Sequence, residues 1–184
     1  VFTREELGII AAYAEKYDTF VIVDEVYSQI IYKPYTYTYF SELPHMHDRT
    51  ICVGSLSKTY SITGWRVGYI LGPEAVIDEI KKVHTFFTIS APSPLQEAAV
   101  TGLRFGGDYY DGLVKTYTEK RDILMKGLDD LGLKHNIPQG AFYLLVDISE
   151  FGYEKDTEFC EDLVRKVGVG SVPGSTFFAE DVQK

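Results

Sequence analysis

The chain has 184 residues, about the length of one domain, and its apolar share of 45% is enough to bury a sizeable core. Its formal net charge of -9 argues against nucleic acid or an anionic membrane surface as a partner, because either would require a basic face. No apolar run approaches the ~20 residues that a membrane-spanning helix needs.

The first predicted elements are a helix and a buried strand. Thr3 and Glu6 fit a capping box at the start of the helix, and apolar residues then recur at helical spacing. The continuous apolar run at residues 20–23 predicts a strand covered on both faces, as in a parallel sheet between helices. Residues 50–53 and 66–71 predict two more strands, so the succession of elements indicates an α/β fold.

The second half of the chain is mostly helical. Apolar faces indicate two helices before residue 107 and a long helix after it. Two short strand-like runs (HNIP and AFYLLVDI), a helix near residues 157–166 and a final strand at VGVGSVP follow. We place a domain boundary near Gly107, with residues 1–106 in a large domain that includes the start of the linking helices. Residues 107–184 then hold a linking helix and part of a smaller α+β domain.

Five polar side chains follow the predicted strands closely. Asp24 stands at the carboxyl end of the first strand, with Tyr27 one turn beyond it. Ser55 and Lys58 follow the second strand, and Arg66 opens the third. Ligands of open α/β sheets bind outside the carboxyl ends of the strands. If these strands are neighbours, the five side chains converge at one edge of the sheet.

These residue types suit a phosphorylated aromatic aldehyde. The amine of Lys58 can attack a carbonyl in its deprotonated form, which a nearby cation favours. Arg66 supplies such a cation, and its planar fork matches two phosphate oxygens, to which Ser55 adds a hydroxyl. Asp24 can hold the proton of a pyridine nitrogen, and Tyr27 can donate to a phenolic oxygen. The alternative for Arg66 is a carboxylate partner.

Five sequence blocks identify a family. In order they are DEVY, GSLSKTYSITGWRVGY, APSPLQEAA, PQGAFY and VGSVPGSTF. They resemble the class I and II aminotransferases, which are fold-type I enzymes dependent on pyridoxal phosphate, and the resemblance covers essentially the whole chain. It implies an α/β fold: part of the large, mostly parallel α/β/α domain and part of the smaller α+β C-terminal domain.

The resemblance also implies a role for each site residue. Lys58 matches the catalytic lysine that forms the Schiff base, and Asp24 the partner of the pyridine nitrogen. Tyr27 matches the position bonded to the phenolic oxygen of the cofactor, and Ser55 and Arg66 match phosphate-binding positions. The implied reaction is a ping-pong transfer of an amino group from an L-amino acid to a 2-oxo acid by a cytoplasmic homodimer.

Several parts of the family pattern are missing from the sequence. The asparagine of an N-P-x-G block, the glycine-rich phosphate loop and the aromatic residue stacked on the cofactor ring all belong upstream of Val1. The arginine that binds the substrate carboxylate belongs downstream of Lys184. Because the chain also opens without an initiator methionine, we expect a piece of a longer protein that carries the chemical half of the site.

Two other functions remain open at this point. A carbon–sulfur lyase that performs β-elimination shares the lysine block, although such relatives usually vary around the glycine–tryptophan pair found here at Gly64 and Trp65. A transcription regulator with an aminotransferase-like domain is the other alternative, although its lysine block usually continues toward P-x-L-R, which SITGWR does not match.

The remaining candidate residues favour plainer readings. Cys52 and Cys160 lie in apolar surroundings without metal-ligand spacing, so we expect two buried free thiols in a reducing compartment. His45 and His47 alternate in a loop after a proline, which favours a solvated turn, and no metal site is expected. Glu25 is expected to be structural. The tyrosine-rich run YKPYTYTYF favours loop packing or a subunit contact.

Overall fold

The chain begins with a helix whose first turn is capped by reciprocal hydrogen bonds. The computed structural model describes residues 1–179 and starts with α1 (Arg4–Lys16). The Thr3 hydroxyl accepts a hydrogen bond of 3.2 Å from the Glu6 amide, and the Glu6 carboxylate accepts one of 2.7 Å from the Thr3 amide. The capping box is therefore confirmed, and these bonds lower the pKa of the Glu6 carboxyl.

Three strands form one mixed sheet in the order β1-β2-β3. The strands are β1 (Val21–Asp24), β2 (Thr50–Ser55) and β3 (Gly68–Leu71). Strands β1 and β2 run parallel, with Asp24 opposite Val53. Strand β3 returns antiparallel to β2, with Gly68 opposite Ser55. The carboxyl ends of β1 and β2 therefore lie at the same edge of the sheet.

One detail of the predicted strands is wrong and another stays a prediction. Residues 1–179 cover one face of β1, along which burial alternates and Ile22 is 72% exposed, so cover on both faces stays a prediction for the complete gene product. Strand β3 begins at Gly68, two residues later than predicted, because Arg66 adopts the left-handed conformation with φ of 54° and cannot continue an extended chain.

Two apolar clusters support the sheet. In the first, Leu7 and Ala14 of α1 pack with the fully buried Met46 and its neighbours Phe40 and Leu43. In the second, Leu56 and Val67 pack with Ala99, which belongs to the helix α4 (Ser93–Leu103). The second cluster lies directly beneath the segment that follows β2, so it fixes the part of the chain that carries Lys58.

The other long helices are α3 (Glu74–Phe87) and α5 (Gly107–Asp130). The chain divides into two compact units: the first holds residues 1–118 and 139–141, and the second begins within α5 at Glu119 and holds the rest. The predicted boundary near Gly107, which assigns whole domains, stays a prediction. None of the helices within residues 1–179 is both long and apolar enough to span a membrane.

The strand-like runs in the second half of the chain pair only briefly. HNIP and AFYLLVDI meet through the antiparallel bridge of His135 with Val146, beside which the Asn136 amide donates to the Leu145 carbonyl at 3.2 Å. The pairing does not extend into full strands, since the Leu145 amide donates to the Asn136 side chain at 2.7 Å. VGVGSVP is not a strand, because no second segment pairs with it among the described residues. The predicted helix is present as α6 (Asp156–Asp162) with a π-helical extension, and the closing residues 180–184 lie outside the description.

Candidate active site

The carboxyl edge of β1 and β2 is where the predicted site residues meet. Asp24 is the last residue of β1 and lies opposite Val53, two residues before Ser55 ends the neighbouring strand. The condition set by the sequence, that the two strands be neighbours, is therefore met. Polar groups at this edge face the position where ligands of α/β sheets bind.

The lysine lies on a single helical turn that follows β2 without a linker. Ser55 is the N-cap of α2 (Leu56–Thr59), and its hydroxyl accepts a hydrogen bond of 3.1 Å from the Ser57 amide. A hydroxyl can accept and donate at once, so Ser55 keeps a proton to donate to an anion. Lys58, half-buried, is the third residue of this turn. Ser55 and Lys58 are therefore held by one local structure.

Arg66 returns to the same edge through a tight loop. The Ser57 carbonyl accepts hydrogen bonds from the Ile62 amide at 3.1 Å and from the Thr63 hydroxyl at 3.2 Å. The Leu56 amide donates to the carbonyl of Val67 at 3.2 Å. These bonds place Arg66, the residue before Val67, beside the start of α2.

The guanidinium of Arg66 is exposed and held from one side. Its Nη1 donates to the Thr63 carbonyl at 2.9 Å. No carboxylate within residues 1–179 forms an ion pair with it, so the carboxylate alternative finds no partner there. Since an arginine has five N–H donors, the remaining ones are able to bind a doubly charged oxyanion. The left-handed backbone at Arg66 is a local strain of the kind found at binding sites.

Asp24 and Tyr27 occupy one turn after β1. The Asp24 carboxylate accepts a hydrogen bond of 3.0 Å from the Val26 amide through Oδ1. The Glu25 amide donates to the Val53 carbonyl at 2.9 Å, which extends the pairing of β1 with β2 by one residue. Asp24 is exposed and Tyr27 half-buried. The turn presents a carboxylate and a phenol at the edge that also carries Ser55.

Two glycines allow β3 to lie close to β2. A Cβ atom on Gly68 would lie 2.7 Å from the Gly54 carbonyl oxygen, nearer than real Cβ atoms approach. A Cβ atom on Gly54 would lie 2.2 Å from Cζ of Tyr69 and 2.5 Å from its hydroxyl oxygen, so it would overlap the phenol. The phenol of Tyr69 therefore occupies the space that any side chain at position 54 would need.

Phenols near this edge stay neutral at physiological pH. Burial raises the pKa of Tyr69, and the neighbouring Glu25 raises it further. The same two causes raise the pKa of Tyr37. Phenols in this state act as hydrogen-bond donors.

All five predicted site residues lie on segments that meet at this edge, and their roles stay predictions. The burial of Glu25 agrees with the structural role expected for it, and alternation along the strand puts it on the opposite face from Asp24. Tyr109 gave no sequence signal, but its hydroxyl donates to the carbonyl of Thr59, the residue after Lys58, at 2.7 Å.

The remaining candidate residues, the two histidines and the two cysteines, differ in how deeply they are buried. Met46 belongs to the core, whereas His45 and His47 are exposed, and no group of three or more potential metal ligands occurs in the described part of the chain. Cys52 is a buried free thiol as expected, while Cys160 is a free thiol that is only half-buried.

Comparisons with known proteins agree on one family. The family model described as "Aminotransferase class I and II" matches residues 1–182. The putative aminotransferase YugH of Bacillus subtilis is 34% identical over 96% of this chain and 45% of its own length. A bifunctional aspartate aminotransferase and glutamate/aspartate-prephenate aminotransferase of Petunia hybrida is 39% identical over 96% of this chain and 40% of its own length.

A solved structure shows the same fold. The N-succinyldiaminopimelate aminotransferase of Mycobacterium tuberculosis superposes with a TM-score of 0.93 and 29% identity over 98% of this chain and 47% of that one. The expected fold-type I class is therefore confirmed. The chain spans about half the length of the proteins that it matches. Neither the lyase nor the regulator reading is favoured by these relatives.

Proposed function

Since the chain belongs to the class I and II aminotransferases, we propose that the complete gene product transfers an amino group from an L-amino acid to a 2-oxo acid. Members of this family depend on pyridoxal phosphate. The observation that carries the proposal is the meeting of Asp24, Ser55, Lys58 and Arg66 at the carboxyl edge of two paired parallel strands.

The donor set fits this cofactor. The guanidinium of Arg66 and the hydroxyl of Ser55 would bind the phosphate, because both offer N–H or O–H donors beside an exposed surface. Asp24 would hold the proton on the pyridine nitrogen, and Tyr27 would donate to the phenolic oxygen. These assignments for Asp24, Tyr27, Ser55, Lys58 and Arg66 are supported by their positions in the family's motif and by their shared edge.

Lys58 is the residue that we propose performs the chemistry. When bound, the cofactor supplies an electron sink for the bond broken at the substrate α-carbon. The Nζ atom of Lys58 would hold the cofactor covalently. Its free amine would act as the general base that accepts the proton from the substrate α-carbon.

The substrate class follows from what the relatives share. The Petunia protein is named for aspartate, glutamate and prephenate, and the Mycobacterium protein for N-succinyldiaminopimelate. These compounds differ in their side chains, so the common feature is an amino acid as donor and a 2-oxo acid as acceptor. We propose that substrate class for this chain without choosing a side chain.

We also propose a homodimer located in the cytoplasm. Dimerisation is typical of the family, and large apolar side chains such as Phe86 and Phe87 are 92% and 86% exposed. The free thiols of Cys52 and Cys160 are compatible with a reducing compartment. Analytical ultracentrifugation of the complete gene product tests the dimer, and cell fractionation tests the location.

One assay separates transfer from elimination. The complete gene product is incubated with pyridoxal phosphate and an amino-acid mixture, with and without added 2-oxo acids. Amino transfer requires the 2-oxo acid and converts it into a new amino acid. Release of pyruvate and ammonia in the absence of a 2-oxo acid would contradict the proposed function and favour the lyase.

A further inference from the structure

Glu25 lies between two proposed cofactor-binding residues but points away from them. The backbone alternates at the end of β1, so Asp24 is exposed while Glu25 is buried, with 8% of its surface accessible. Its Oε1 atom is fully buried and has no hydrogen-bond partner in the part of the chain that the structure describes. Such an atom requires an explanation, because an unsatisfied buried acceptor costs free energy.

The groups around Glu25 form what we call the Glu25 cluster: Glu25, Tyr37, Ser41, Cys52 and Tyr69. Cys52 of β2 is 6% exposed, and burial together with the neighbouring Glu25 raises the pKa of its thiol, which Ser41 partly offsets. Tyr69 of β3 lies over Gly54, two residues along β2 from Cys52 and therefore on the same face. The strand residues of the cluster, Cys52 and Tyr69, lie with Glu25 on the face of the sheet opposite Asp24.

Within residues 1–179, no cationic group is among those that act on Glu25. The titratable groups that act on Glu25, or on which it acts, are Tyr37 and Tyr69, the thiol of Cys52 and the carboxyl of Glu42. Tyr39 and Asp24 act on the same tyrosines. All of these groups are neutral or acidic. A carboxylate buried among them would be neither paired nor fully hydrogen-bonded, whereas a neutral carboxylic acid avoids most of that cost.

The backbone of Glu25 is the centre of the turn that carries the site. Its amide donates to the Val53 carbonyl at 2.9 Å, and its carbonyl accepts a hydrogen bond of 3.0 Å from the Ser28 amide. Asp24 precedes it directly and Tyr27 follows within the same turn. A displacement of the Glu25 side chain would therefore be transmitted to both neighbours.

We propose that Glu25 is a positioning residue, a neutral carboxylic acid embedded in the Glu25 cluster that fixes the turn from Asp24 to Tyr27. The role rests on the proposed function, in which those two residues bind the cofactor. Burial is the main cause that raises the pKa of the Glu25 carboxyl, the charge of Glu42 adds to it, and the hydrogen bond from Cys52 offsets part of the shift.

The first experiment tests whether the Glu25 carboxyl is neutral in the folded protein, and it does not use the cofactor. The free energy of unfolding of the apo form of the complete gene product is determined from pH 4 to 8 for wild type, Glu25→Gln and, as a matched control, Glu15→Gln on the exposed surface of α1. A carboxyl with a raised pKa in the folded state stabilises most below its ordinary value of 4.5 and loses that contribution as the pH rises through the folded value. Glu25→Gln is expected to remove this loss of stability with rising pH. Glu15→Gln is expected to keep the wild-type dependence of the free energy of unfolding on pH.

The second experiment tests whether Glu25 positions the turn from Asp24 to Tyr27. Pyridoxal phosphate affinity and the pH titration of the visible absorbance of the bound cofactor are compared for wild type, Glu25→Gln and Glu25→Ala. Glutamine has the shape of the neutral acid and keeps both properties near wild type. Alanine shifts the absorbance titration and weakens affinity about tenfold, as removal of a supporting residue around a bound group does.

The outcomes separate this proposal from the function on which it rests. A Glu25→Gln variant that behaves like Glu25→Ala, or that keeps the wild-type pH slope of unfolding, overturns the proposal. A wild type that binds no cofactor overturns the proposed function and the positioning role together. In that case, the pH dependence of the free energy of unfolding of the apo form still decides whether Glu25 is neutral in the folded protein.

Discussion

The hydroxyl of Tyr109 donates a hydrogen bond of 2.7 Å to the carbonyl of Thr59, the residue that follows Lys58. Next to it, the hydroxyls of Tyr60 and Tyr110 are 2.9 Å apart, and the rings of Tyr60 and Tyr109 stack with their centroids 5.7 Å apart. The beginning of α5, far along the chain from β2, thus holds the short helix that carries the lysine.

Tyr109→Phe tests this support. The substitution removes the hydrogen bond to Thr59 and keeps the stacked ring, so we expect the free energy of unfolding to fall by about 1 kcal/mol. We also expect a slower covalent reaction of Lys58 with pyridoxal phosphate, measured by stopped-flow absorbance. Tyr13→Phe, on the exposed surface of α1, is the matched control. If the two variants react equally fast, Tyr109 does not position the lysine turn.

Lys58→Ala in the complete gene product tests the proposed nucleophile. We expect loss of the absorbance of the lysine-bound cofactor and a fall of at least about 10⁴-fold in turnover, since no other amine replaces the nucleophile. Lys126→Ala, which removes an exposed partner of Asp130, should leave both unchanged. Wild-type activity in the Lys58 variant would exclude the mechanism.

Arg66→Ala tests the phosphate site. Charged hydrogen bonds contribute about 1.5–3 kcal/mol, so we expect an affinity for pyridoxal phosphate that is about 10- to 100-fold weaker. Affinity for pyridoxal, which lacks the phosphate, should change little. Arg165→Ala, which removes a surface pair with Glu161, serves as the control. Equal losses for both ligands would show that Arg66 does not bind the phosphate.

Gly54→Ala tests the close approach of β3. The new Cβ atom would lie 2.2 Å from Cζ of Tyr69, so we expect destabilisation of about 1–3 kcal/mol by chemical denaturation. The double variant Gly54→Ala, Tyr69→Ala should show a favourable coupling energy, because the clash is gone. Gly8→Ala in α1 has open space around it and should stabilise by about 0.5–1 kcal/mol. If the losses of unfolding free energy caused by Gly54→Ala and Tyr69→Ala simply add in the double variant, this packing is contradicted.

Asp156→Asn tests a clamp in the second unit. The Asp156 carboxylate accepts hydrogen bonds from the amide and the hydroxyl of Ser175, at 2.7 and 2.8 Å, and these bonds lower its pKa. A lowered pKa in the folded state stabilises the fold above the ordinary value of 3.8, and this contribution is lost as the pH falls through the folded value. We therefore expect Asp156→Asn to reduce stability at pH 7 and to approach wild type as the pH falls below 3.8 and through the folded pKa. A difference that is independent of pH would contradict the clamp.

Much of the site could be predicted because its parts are close in sequence. Ser55 and Lys58 share one helical turn, so their spacing alone places them together once a strand ends at Ser55. The capping box of α1 is equally local, since Thr3 and Glu6 supply both halves of it. Local hydrogen bonds and side-chain periodicity depend only on neighbouring residues, and here the sequence pattern was sufficient.

The tertiary structure decided everything that depends on pairing between distant segments. The return of Arg66 beside Ser55, the antiparallel direction of β3 and the support of Thr59 by Tyr109 arise from contacts that no local pattern encodes. The same reason explains the failed strand at VGVGSVP, because an extended segment becomes a strand only when another segment offers its backbone hydrogen bonds. Glu25, charged by sequence and buried by the fold, acquired its environment only when β1, β2 and β3 came together.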